Sequence, residues 1–145
     1  MISREQYFGT KSHTEVQVWA FDDLNQRVQA LNEEYYAATG AQPDIDPDTL
    51  TEISGKKNGS GDGGFRVRGS ATSAGRLSSH EDALAVDRSD QDNAFDAWLD
   101  QFEDGLGGNS KLAEHGLYRE HPSATPTWCH LTTRPPNSGK RTFYP

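Results

Sequence analysis

Residues Ser78 to Asp87 read SSHEDALAVD. From Ala83 onward the segment has the period of a β-strand, with Ala83, Ala85 and Asp87 on one side and Leu84 and Val86 on the other. The leucine and valine side is expected to face a core. The alanine side leaves room beside the Asp87 carboxylate, and the backbone at Ala83 is expected to be simply extended. His80 lies just before the strand, where it could converge with Asp87 on a shared point. A histidine and an aspartate at this spacing are a common accident, so the rest of the chain must decide whether they belong together.

The second half is TWCHL, Thr127 to Leu131. Read as a strand, it puts Trp128, His130 and Thr132 on one face and Thr127, Cys129 and Leu131 on the other. Cys129 suits a core as a small apolar residue. His130 beside His80 and Asp87 would give two imidazoles and one carboxylate. Three protein ligands with a fourth position open are the pattern of a catalytic Zn2+ site, whereas structural zinc sites close with four. Competing readings are a strand histidine bonded to nearby backbone, and Cys129 as ligand or nucleophile. The latter is disfavoured because adjacent strand residues point in opposite directions. A serine triad through Ser78 or Ser79 lacks a nucleophile elbow.

A chain of 145 residues suits one domain spanning 1–145 with a modest core. Hydrophobic residues are only 32% and the mean hydropathy is -0.86, so three Trp, five Tyr and six Phe must supply much of the buried area. Fourteen Lys plus Arg against twenty-two Asp plus Glu leave a net charge of -8. That excludes a basic stripe for nucleic acid and electrostatic docking on an anionic membrane. One cysteine allows no internal disulfide. The start, MISREQYFG, has no apolar segment of signal-peptide type. The chain is expected to be made in the cytoplasm and to reach any outside target only after release by another agent.

Val18, Phe21, Leu24, Val28, Leu31 and Tyr35 recur at three- and four-residue steps, which predicts a packing helix from about Thr14 to Gly40. The acids of PDIDPDTL begin like a calcium loop. Thr49 and Gly55 stand where such a loop needs glycine and glutamate, so a turn with helix-capping aspartates is expected instead. GKKNGSGDGG fails as a phosphate loop and reads as a connection into a strand, GGFRVRG. Phe95, Trp98, Leu99 and Phe102 predict a second helix, ended by Gly105 to Gly108. KLAEHGLYRE reads as a short helix or turn, TPTWCHLTT as a strand, and RPPNSGKRTFYP as an irregular tail. The sum is an α+β domain: helices packed on a small, mostly antiparallel sheet.

Three elements, in order, carry a resemblance. Ser78-x-His80-x-x-Ala83-x-Ala85-x-Asp87 resembles the S-x-H-x-x-G-x-A-x-D motif of the D-alanyl-D-alanine carboxypeptidase family of zinc peptidases. That family includes the L-alanyl-D-glutamate endopeptidases of phage endolysins and the hedgehog domain. Gly63 to Arg66, GGFR, resembles its [SG]-G-[FY]-R element, and Trp128-Cys129-His130 its W-x-H element. The short length and the tail look most like the compact phage endolysins. The resemblance implies a hedgehog/D,D-peptidase fold, Zn2+ held by His80, Asp87 and His130, and Arg66 stabilising the oxyanion, with Arg68 as the fallback. Ser78 and Trp128, which flank the ligands, are the expected substrate contacts.

The chain departs from the family twice. Ala83 replaces a glycine, and Thr127 stands where the family's general base usually lies. The expected base is therefore Glu120, returned to the metal by the HPSATP loop, with Glu114 second. His115 and His121 are not assigned a role. The implied substrate is a peptidoglycan stem peptide, attacked by a monomer. The opposing expectation is a zinc-binding interaction or virion-structural domain of the same fold without catalysis.

Overall fold

The N-terminus folds on a capping box. Ser3 accepts from the Gln6 N–H and the Gln6 side chain returns the bond, so that Arg4–Phe8 form a short helix, α1. The computed structural model describes residues 1–55, 63–68 and 78–145. Thr14 and Gln17 repeat the box at the head of α2, Glu15–Thr39. The predicted stripe is there: Phe21, Leu24, Val28, Leu31 and Tyr35 are buried, and Val18 packs at its margin. Gly40 ends α2 in the left-handed region, at φ 72°.

Four strands form one sheet: β1 (Ala85–Ser89), β2 (Tyr118–Glu120), β3 (Trp128–Thr132) and β4 (Thr142–Phe143), in the order β1-β3-β2-β4. β3 is antiparallel to both neighbours, and β4 runs parallel to β2. Two short helices, α3 (Ala94–Asp100) and α4 (Ser110–Glu114), lie between β1 and β2 in the chain. The molecule is a small mixed α+β protein. Among the described residues, no helix is long and apolar enough to cross a membrane.

β1 is buried along its whole length, not on one face alone. Its outer edge is covered: the N–H groups of Ser54, Asp87 and Ser89 bond to Asp87, Gly63 and Glu52 carbonyls at 2.8 Å each. The segment GGFRVR is not the expected strand. Its backbone groups go to three different partners: Phe65 N–H to Tyr7, Arg66 N–H to His80, and the Gly63 carbonyl to Asp87. It is a clamp threaded between elements, and the fit admits only glycine. A Cβ at Gly63 would lie 2.0 Å from the Ser54 carbonyl oxygen, and one at Gly64 2.7 Å from that of Tyr7. The connection read from Lys56 to Asp62 lies outside the described residues.

Two further expectations are corrected. LYRE is strand β2 rather than the end of a helix, and the tail supplies β4; Arg119 N–H bonds to the Arg141 carbonyl at 2.8 Å to join them. In PDIDPDTL the turn is present, with Asp46 Oδ1 accepting from Asp48 and Thr49 N–H, but no helix follows.

Candidate metal centre

The sheet register builds most of the site. Asp87 in β1 lies directly opposite His130 in β3. The β2–β3 register pairs Arg119 with Leu131, so its next step brings Glu120 opposite His130 from the other side. Glu120 in turn pairs with Phe143 of β4. Asp87, His130, Glu120 and Phe143 thus form one row across four strands, the arrangement in which cross-strand side chains meet. His80 reaches the row from a 3-10 turn, Ser79–Asp82, whose head Ser78 caps by accepting from His80 N–H at 3.2 Å.

The donor atoms converge. His130 Nδ1 is 2.8 Å from Asp87 Oδ1, while His80 Nε2 is 3.3 Å from each of these atoms. Zinc bound tetrahedrally at 2.0–2.1 Å needs ligand atoms roughly 3.3 Å apart. Two sides of the triangle meet that spacing, and the third would open by about 0.5 Å. His80 Nδ1 lies 2.8 Å from the Gly64 carbonyl, which can only accept. That bond puts the ring proton on Nδ1 and leaves the Nε2 lone pair of the neutral ring aimed at the shared point. In the neutral pair, the proton on His130 Nδ1 is donated to Asp87. A divalent cation would take that proton's place.

All three residues are buried. Burial pushes the Asp87 carboxyl upward, but with His80 protonated on both nitrogens its charge and the hydrogen bonds from both rings hold the carboxyl well below the usual carboxylate range. Burial lowers the His130 imidazole, yet the Asp87 bond and charge leave it raised. The donor set, the spacing and the oriented ring fit a zinc ion.

Glu120 Oε1 is 4.0 Å from His130 Nε2, the ring nitrogen turned away from the shared point. Arg66 Nη2 is 3.6 Å from Asp87 Oδ2. Arg66, Asp87 and half-buried Trp128 line a cavity of about 430 Å³, whose far wall holds Asp46 and Asp48. Ser78 serves as a cap. Arg68 pairs with Asp82 at 2.8 Å and stands 3.7 Å from Glu81. Glu114 is not brought to the triad; it bonds Lys111, which also holds Glu34, and Glu34 bonds His115. His121 contacts Ser123 and stacks on Tyr144. Cys129 is fully buried on the opposite side of β3.

Ala83 is not extended. It has φ 59° and ψ 31°, because the chain must reverse out of the 3-10 turn before β1 can begin. The sequence reading missed the Gly64 carbonyl that orients His80, though the GGFR glycines marked its position. It also missed Phe143, whose ring stands edge-on 6.5 Å from that of His130. A two-residue strand offers no periodicity that could have found it.

Two other groups of acids or histidine are internally satisfied. Asp90 accepts from Phe95 and Asp96 N–H at the head of α3, and Asp44 accepts from Ser89 and Gln91. Lys111 ties Glu34 to Glu114. No family model, no curated protein and no solved structure matches the chain.

Proposed function

We propose that the chain is a zinc-dependent peptidase that hydrolyses a stem-peptide amide of peptidoglycan. The observation that carries this reading is the convergence of His80 Nε2, Asp87 Oδ1 and His130 Nδ1 on one point beside a cavity lined by Arg66 and Trp128. Its motif resemblance to the D-alanyl-D-alanine carboxypeptidase family supplies the substrate class and the hedgehog/D,D-peptidase fold name.

His80, Asp87 and His130 would hold the ion, which when bound supplies Lewis acidity toward water and toward a scissile carbonyl. Glu120 takes the proton from the attacking water and later delivers it to the leaving amine. The C–O bond forms first, giving a tetrahedral carbon, and the C–N bond breaks as the leaving amine takes the proton. Arg66 faces the carbonyl oxygen as it gains negative charge. Trp128 gives the peptide an apolar wall, and the buried triad stays fixed through the cycle.

A second reading has its own observation. Glu120 lies on the outer nitrogen of His130, where a carboxylate orients a ligand instead of serving as a base. A zinc-binding interaction or virion-structural domain without catalysis would have that arrangement. The deciding experiment is mass spectrometry of fragments released from purified peptidoglycan by zinc-loaded protein, beside Glu120→Ala and a chelator-treated sample. New stem-peptide termini are expected with the wild type alone, with zinc affinity of the variant within a few-fold. Loss of affinity by about 10–100-fold in Glu120→Ala assigns Glu120 to orienting His130. No cleavage of walls of several chemotypes by the zinc-loaded wild type sinks the peptidase reading.

A further inference from the structure

A second cavity, of about 790 Å³, lies apart from the one beside the triad. It opens on the other side of Phe143, which lines it and also faces His130. Its volume lies in the range of small-ligand sites. Two of the most exposed large apolar side chains of the molecule, Leu106 and Tyr144, at 83% and 73%, both line this cavity. The Tyr144 ring is stacked on His121 at 4.5 Å and 13°. One ring face is thereby fixed and, at that exposure, the other is left open to solvent. This is an exposed aromatic platform.

The walls decide what can lie on it. An anion is disfavoured: Asp100 and Glu103 stand against Lys140 and Arg119, and the Arg119 guanidinium is already shared among Asp96, Asp100 and Glu103. An added peptide strand is disfavoured too. On the outer edge of β4, the Arg141 and Thr142 N–H groups are both turned to the Gly107 carbonyl, at 2.8 and 3.5 Å. A purely apolar ligand would leave the wall carboxylates facing hydrocarbon. A cation would meet Lys140 on the same wall, and what fits best is a neutral ligand with one apolar face and a rim of hydroxyls: a pyranose oligosaccharide. Its ring stacks on Tyr144 and its hydroxyls donate to Asp100 and Glu103.

We infer that this cavity is a sugar-binding subsite. The inference stands without the zinc reading. If that reading holds, a glycan site one strand away from a peptide site matches a polymer whose peptides branch from sugar.

The test is an amide-resolved NMR titration of the full chain with the β-1,4-linked tetramer of N-acetylglucosamine, and in parallel with the β-1,4-linked tetramer of glucose. Saturable shifts centred on Leu106, His121 and Tyr144 are expected with at least one of them. Tyr144→Ala should weaken binding about tenfold, the value of one good aromatic contact, and Tyr144→Phe should retain it. Tyr144 is exposed, so an unchanged spectrum outside the cavity will show that the variants fold. Chelator-treated wild type should bind sugar as the zinc-loaded protein does; this separates failure of the zinc reading from failure here. Absence of shifts with both tetramers, unaltered affinity in Tyr144→Ala, or displacement of the sugar by inorganic phosphate overturns the assignment.

Discussion

Ala83 carries a methyl group in a backbone conformation that disfavours one. The left-handed region costs an L-residue about 1–2 kcal/mol, while burying one methyl returns about 0.8 kcal/mol. Ala83 is fully buried, so both terms apply, and the first is the larger. Ala83→Gly relieves the backbone but loses the methyl and gives the unfolded chain about 0.4–1 kcal/mol more conformational freedom, so the thermal midpoint should hold to within about 1 kcal/mol of stability, with no change in zinc affinity. A midpoint lower than that would mean that the methyl packs better than its area suggests. This position shows where a pattern stops informing. Alternation told that Ala83, Ala85 and Asp87 could share a face, but period two says nothing about the sign of φ. The family motif carries glycine at that position, yet the sequence reading took the backbone there as extended.

The clamp Gly63–Arg68 acts as an element although it has no regular structure. It holds His80 through the Gly64 carbonyl and Asp87 through that of Gly63, so two of three candidate ligands depend on it. Gly63→Ala would drive a Cβ into the Ser54 carbonyl, which is backbone and cannot swing aside. The expected cost is about 1–3 kcal/mol in chemical denaturation, with weaker zinc binding in competition against a chromophoric chelator. Normal stability with normal zinc affinity would show that the clamp is not needed. Among the elements, α2, α3 and β3 were legible because each is long enough, or apolar enough on one side, to show its period. β2 has three residues and β4 two; their pairing is decided by the turn Pro122–Ala124 and by the Gly107 carbonyl, neither of which leaves a periodic trace. The triad was legible for the opposite reason. The motif resemblance named its three members, strand alternation allowed Asp87 and His130 to meet, and the register puts those two opposite each other.

At the scale of the molecule, the sparse hydrophobic content is met by cations buried in place of hydrocarbon. Arg88 bonds Asn32 at 2.7 Å and covers the Phe95 ring at 3.8 Å, joining β1 to α2 and α3. Arg119, fully buried, ties β2 to α3 and its following turn through Asp96, Asp100 and Glu103. Hydrophobic patterning counts such residues as surface, so this half of the interior could not be read from the sequence. Between the two arginines lies Cys129, on the reverse side of the strand that carries His130. Burial pushes its thiol well above the usual range, and a thiol reagent can reach it only after the fold opens around it. An opening that parts β3 from β1 would also separate His130 from Asp87. Zinc held between them should therefore slow modification of Cys129, by the factor by which the ion is in excess of its dissociation constant. A labelling rate indifferent to saturating zinc would mean that the sheet opens without disturbing the triad. The lone thiol is thus a clock already installed in an inner strand: how long it stays unmodified counts how rarely the two halves of the site let go of each other.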